Sequence, residues 1–275
     1  MADPLIFLLV VAIGSLAQVI DGSLGMGFGV FSSSMLMVAG FAPAVAVATV
    51  NAAKVFTGLA SGLAHWRLGN VCVKWLVSLS ASGVVGGFLG SYLLTSIPAQ
   101  AAKPWISAFL LAMGLLLVLR SLRWGEPCAS QLWEETCDKC PKSGWQRVVE
   151  QARSGAAARL GALGFLAAFI NGLSGAYGPI ATSGVLLMEK GQPRHAVGTV
   201  NLAEFFVATT VASTILVRQG PGEFPTGLVV ALAIGGLLAA PLAAYICRRM
   251  PARGLGFLVG TALIAQNFGV VALVR

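Results

Sequence analysis

AVATVNAAKVF, Ala46 to Phe56, returns 150 residues later as AVGTVNLAEFF, Ala196 to Phe206, with seven of eleven positions identical. Unrelated apolar segments would agree at roughly one position in ten, so the chain contains an internal repeat. The same offset runs upstream without a gap. It pairs Gly14, Leu16, Ala17, Ile20, Gly22 and Gly25 with Gly164, Leu166, Ala167, Ile170, Gly172 and Gly175. The copies differ where chemistry is concentrated: Asp21 is matched by Asn171, and Lys54 by Glu204.

Of 275 residues, 57% are hydrophobic and 10% charged, against roughly 25% charged in a soluble domain. The apolar runs are long enough to cross hydrocarbon. They fall near residues 4–20, 23–40, 44–64, 75–95 and 104–122 in the first copy, and near 157–170, 173–188, 196–217, 226–247 and 254–274 in the second. A spanning segment must satisfy its own backbone, and barrel strands would alternate in polarity, so helices are expected. The fold class is therefore an all-α polytopic membrane protein of two repeats, each with about five transmembrane or re-entrant segments. The repeats occupy 1–122 and 157–275, joined by a linker at 123–156. The start, MADPLIFLL, has no basic region and does not read as a cleavable signal.

Basic residues set the orientation. With the first end outside, the short inner loops hold Arg67, Lys74, Lys190, Arg194, Arg248, Arg249 and Arg253, against Lys103, Arg218 and Arg275 outside. Both termini are thus expected to be external. An odd number of crossings per copy inverts the second repeat, the arrangement from which alternating-access transporters are built. The net charge of +8 reflects this topology, and nucleic acid need not be invoked.

The linker is the one long polar stretch. Cys137 and Cys140 form a C-x-x-C with Cys128 nearby. These suggest zinc or a redox pair, but no fourth Cys or His in the loop completes a structural zinc site. A reduced-thiol loop is the plain alternative.

Two glycine-rich strings interrupt the apolar runs: DGSLGMGFG at Asp21 to Gly29 and NGLSGAYGP at Asn171 to Pro179. Close helix packing is one explanation. Their occurrence at matching places favours a pair of broken helices or re-entrant turns, each aiming half-helix N–H groups at a common, anion-attracting point. Ser23, Ser174 and Tyr177 add hydroxyl donors there. The third segments carry Thr49, Asn51 and Lys54, matched by Thr199, Asn201 and Glu204. The Asn residues serve either as interhelical glue or as ligands. An intramembrane charge marks a pathway or a paired group. Lys54 and Glu204 therefore form a salt bridge across the pseudo-twofold axis, or Lys54 counters an anionic substrate while Glu204 or Asp21 takes the coupling proton. His65 and His195 sit at segment ends, and Trp66, Trp75, Trp105 and Trp124 mark interfaces.

The paired glycine turns, each followed by an A-V-x-T-V-N helix, resemble the TauE/SafE family of sulfite exporters and related anion transporters. The resemblance covers nearly the whole chain apart from the cysteine loop. It implies secondary transport of a small sulfur-containing or carboxylated anion, such as sulfite or sulfoacetate, across a bacterial inner membrane. It also implies that Gly25, Gly27, Gly175, Asn51 and Asn201 line the site. No cofactor is called for, no enzyme activity is expected, and the oligomeric state stays open. Rival readings are an anion channel with the same site and a membrane redox protein using the loop cysteines.

Overall fold

The computed structural model describes residues 4–24, 27–67, 69–123, 155–188, 193–220 and 225–247, together with position 222 and a few positions between 257 and 268. Among these residues all regular structure is helical. The first copy forms α1 (Pro4–Leu24), α2 (Phe28–Val38), α3 (Pro43–Arg67), α4 (Val73–Ser96) and α5 (Ala99–Arg123). The second forms α6 (Gly155–Ser174), α7 (Gly178–Met188), α8 (Pro193–Gln219) and α9 (Thr226–Cys247). The duplication is visible in these limits, because α2 and α7 begin and end exactly one offset apart, and α3 and α8 both open on a proline. Most of the expected tenth segment, and the linker from 124 to 154 with Cys128, Cys137 and Cys140, lie outside the described residues.

Among the described residues, five helices have the length and apolarity to cross a membrane: α3, α4, α5, α6 and α8. The second segment of each copy does not. α2 and α7 have 11 residues each, about 17 Å at 1.5 Å per residue, roughly half the hydrocarbon thickness. The apolar runs from 23 and from 173 are each divided by their glycines, so α2 and α7 are half-helices.

The copies interlock. α1 packs along α9 and α4 along α6, while α3 packs on α8 at the centre. Under the offset α1 corresponds to α6 and α4 to α9, so the two outer contacts are one contact made twice. Small residues set its closeness. A Cβ on Gly14 would lie 2.7 Å from the Leu232 carbonyl, and one on Gly164 2.7 Å from that of Leu79. Association of helices in lipid depends on such packing, since burial from water contributes little there. Gly58 and Gly62 of α3 likewise admit α8, with Leu202 Cα 3.0 Å from a Cβ on Gly62.

Candidate functional site

The site starts from the two breaks. α1 ends at Leu24 and α2 begins after Gly27. The first N–H groups of a helix have no partner within it, and here the Phe28 N–H donates to Asp21 Oδ1 at 3.2 Å. Asp21 therefore places its own carboxylate on the positive end of α2. Gly27 is held close to α1: a Cβ there would stand 2.5 Å from Ile20 Cγ2.

In the second copy α6 ends at Ser174 and Gly175 turns the chain with φ +81°, donating its N–H to the Asn171 carbonyl at 2.8 Å. Only glycine adopts this conformation without cost, and a Cβ would also run into Ser33 Oγ. Gly175→Ala is expected to destabilise by about 1–3 kcal/mol, the usual cost of a strained backbone position. Thermal unfolding in detergent checks this, with Gly227→Ala, where nothing lies within 4 Å, expected to match wild type.

The two breaks meet. Gly29 of α2 lies against both the Gly175 carbonyl and the Lys54 ammonium, so that a Cβ at Gly29 would collide with both. Lys54 Nζ donates to the Gly175 carbonyl at 3.4 Å and forms an ion pair and hydrogen bond with Glu204 Oε1. Lys54 is 3% exposed and Glu204 5%. The salt bridge, one of the two roles expected for Lys54 and Glu204, is formed between α3 and α8. Asp21, half-buried, lines the same cavity as Lys54 and Glu204, so one ammonium stands with two carboxylates.

Between them is a small cavity of about 10 Å³ lined by Gln18, Asp21, Phe28, Lys54, Thr57, Gly58, Ser61, Asn201 and Glu204. That is room for one water at most.

The asparagines form a second polar layer. Asn171 Nδ2 donates to Asn51 Oδ1 at 2.8 Å, and Asn51 Nδ2 to the Val47 carbonyl at 2.8 Å. Asn201 Nδ2 donates to Ser61 Oγ at 3.1 Å. Asn171 thus hands its amide to Asn51, whereas its counterpart Asp21 caps a helix. Asn51→Ala is expected to cost about 1–3 kcal/mol, the penalty for a buried donor left unmet, read as a lower unfolding temperature. Buried polar atoms without a partner also gather on these elements: Tyr177 Oη, Ser32 Oγ, Ser33 Oγ and Asn171 Oδ1. Such atoms are rare in native interiors and ask for an explanation.

The structure brings together Asp21, Lys54, Gly175, Asn201 and Glu204, with Tyr177 within electrostatic reach of Glu204. It places Ser174 elsewhere: its hydroxyl donates to the Ile170 carbonyl at 2.9 Å, and the residue faces another cavity. Gly25 lies outside the described residues, and Gly27 supports the α2 start. His65 packs beside Gly198, and His195 is buried in the first turns of α8. The sequence reading missed Gln18, Thr57, Ser61 and Ser33. The first three had a signal, because Lys54, Thr57 and Ser61 share one face of α3 and Gln18 lies one turn before Asp21. The Ser32–Ser34 run inside an apolar helix was the signal for Ser33.

An all-helical multi-pass membrane protein with a charge pair buried where two broken helices meet is, in class, a membrane transporter. The family model described as Sulfite exporter TauE/SafE matches residues 10–268. The chain is 36% identical over 257 residues to the "Probable membrane transporter protein YtnM" of Bacillus subtilis (strain 168), covering 93% of this chain and 79% of that protein. It is 24% identical over 251 residues to the "Probable membrane transporter protein YdhB" of the same organism, covering 89% of this chain and 91% of that one. No solved structure matches. The chain belongs to the TauE/SafE sulfite exporter family.

Proposed function

We propose that the protein is a secondary transporter that exports a small sulfur-containing anion, with sulfite and organosulfonates such as sulfoacetate as leading cargo, by alternating access with a proton as coupling ion. The observation that carries this reading is the charge count of the central site: Lys54 against Glu204 and Asp21. An anion cannot join two carboxylates and one ammonium in so confined a site without adding uncompensated negative charge. A proton on Glu204 or Asp21 removes that charge and frees Lys54 to face the substrate. Anion and proton then occupy the site together.

The asymmetry of the breaks supports one position for the anion. The α2 N-terminus already holds the Asp21 carboxylate, whereas Asn171 leaves the second break without one. The anion is therefore placed at the start of α7, beside the Tyr177 and Ser33 hydroxyls, which have no partner, and next to Lys54. Asn51 and Asn201 hold the third helices around it. The small size of the cavity fits a resting state whose site widens when one part of the bundle moves against the other. Inverted repeats at 1–122 and 157–275, external termini and an inner-membrane location complete the reading, and tags at both ends reachable only from outside would support it.

Proteoliposomes test the proposal. Flux of sulfite or sulfoacetate is expected to saturate and to carry protons in the same direction, with Tyr177→Phe raising the half-saturating concentration and Glu204→Gln uncoupling the proton. Flux that rises linearly with concentration and moves no proton would establish a channel instead.

A further inference from the structure

The duplication lets each side of the ion pair be compared with its copy. Along α3, Lys54, Thr57, Ser61 and His65 follow at steps of three and four residues, which places them on one helical face. Under the offset their counterparts on α8 are Glu204, Val207, Val211 and Ile215. Both stripes start on a charge. The first continues toward its end of the bundle with polar side chains, the second with branched apolar ones.

Packing follows the same division. Val207, Val211 and Ile215 are fully buried, and the two valines meet α4: a Cβ on Gly83 would stand 2.8 Å from Val207 Cγ2, and one on Gly87 3.2 Å from Val211 Cγ2. Ser61 and His65, by contrast, are half-buried. Among the described residues α9, the counterpart of α4, also lies less closely along α3 than α4 lies along α8. One side of the ion pair is plugged and the other is loosely covered.

The small cavity at the ion pair lies on the polar side. Thr57 and Ser61 line it, and none of their three apolar counterparts does. Ser61 is about 10 Å along the helix axis from Lys54, at 1.5 Å per residue, and roughly as far from the end of α3 at Arg67. Its hydroxyl accepts from Asn201 Nδ2 of α8 at 3.1 Å. One turn further His65 packs on Gly198 of α8, with Asn70 Nδ2 3.5 Å from its Nδ1. Polar groups thus follow the seam between α3 and α8 from the carboxylates to the helix end. Water entering there finds hydrogen-bond partners, whereas the valines opposite offer it none.

We propose that, in this arrangement of the helices, water enters along Ser61 and Thr57 and delivers the coupling proton to Glu204 or Asp21 from the C-terminal end of α3, while Val207, Val211 and Ile215 seal the opposite end. Proton relays through hydrocarbon are built from such chains of polar side chains. The proton's part rests on the coupling proposed above; the entry of water does not. With the external termini proposed above, the open end is the inner one.

The test is modification of added cysteines by methanethiosulfonate ethylammonium in proteoliposomes, read peptide by peptide so that the native cysteines stay in place. The thiolate is the reacting form, and a thiol kept from water stays protonated. Two comparison sites are Val211→Cys, inside the plug, and Leu59→Cys, at a similar depth on the exposed flank of α3 that meets hydrocarbon. Ser61→Cys is expected to react about tenfold faster than either, or more. A rate no higher than both would overturn the water route. Ser61→Leu, which obstructs the passage, is expected to lose most of the proton flux that accompanies sulfite while the half-saturating sulfite concentration stays at the wild-type value. Wild-type proton flux in Ser61→Leu would overturn delivery along this face. Sulfite flux without protons in wild type would overturn the proton's part and the coupling with it, and the labelling ratio would still decide whether water reaches Ser61.

Discussion

Lys54→Met is expected to abolish transport and to destabilise the protein by about 3–5 kcal/mol, the cost of removing one member of a buried ion pair. The reason is what remains. Glu204 and Asp21 would line one cavity with room for a single water at most, with the Gly175 carbonyl also losing its donor. Lys54→Met with Glu204→Gln together should recover most of that stability, because the uncompensated charge is gone, yet transport should stay absent. Exchange of the two, Lys54→Glu with Glu204→Lys, separates a structural strut from a substrate contact. It preserves the pair between α3 and α8 but moves the ammonium onto α8. Folding is expected to return without transport. Wild-type transport by the exchanged variant would show that the pair serves only to hold α3 against α8. Unfolding temperature and proteoliposome flux on the same preparations read both halves.

The duplication was legible because it is written in side chains: the A-V-x-T-V-N string fixes an offset, and helix limits follow it down to the prolines that open α3 and α8. The convergence of the glycine turns with Lys54 and Glu204 was also foreseeable, since each breaks an apolar run at the same place in its copy. Other features depend on the partner of a contact, which one strand of sequence does not name. Asp21 reads from the sequence as a candidate for the coupling proton, with nothing to mark it as a cap. Only the bond to the Phe28 N–H, seven residues on, shows that it closes a helix end. Hydropathy likewise counts side chains and passes over backbone breaks, so a run such as 23–40 reads as one segment although α2 begins at Phe28. Ser174 and Tyr177 sat in one motif, yet Ser174 turned to its own helix and Tyr177 was buried with its hydroxyl unmet. The interlocking of α1 with α9 and α4 with α6 had no signature beyond glycines whose partners were unknown.

Those glycines carry the second large effect. In α4, Gly86 and Gly90 lie so close to α6 that a Cβ on either would collide with a backbone carbonyl, that of Phe165 or that of Phe169. A flexible side chain can yield to a new methyl group, whereas a carbonyl inside a helix can move only if the helix moves. Overpacking of this kind costs about 1–3 kcal/mol per site where relaxation is possible. Gly86→Val with Gly90→Val, stacked one turn apart on the same seam, should therefore drive α4 and α6 apart and leave no folded monodisperse protein. A single Gly90→Ala is expected to fold with a lowered unfolding temperature. Gly83 and Gly87 share the helix but meet the side chains of Val207 and Val211 first, so Gly87→Ala should cost less than Gly90→Ala. Size-exclusion profiles and thermal unfolding of the three variants measure this ordering. If Gly87→Ala proved as damaging as Gly90→Ala, backbone contact between α4 and α6 would not be what limits their approach.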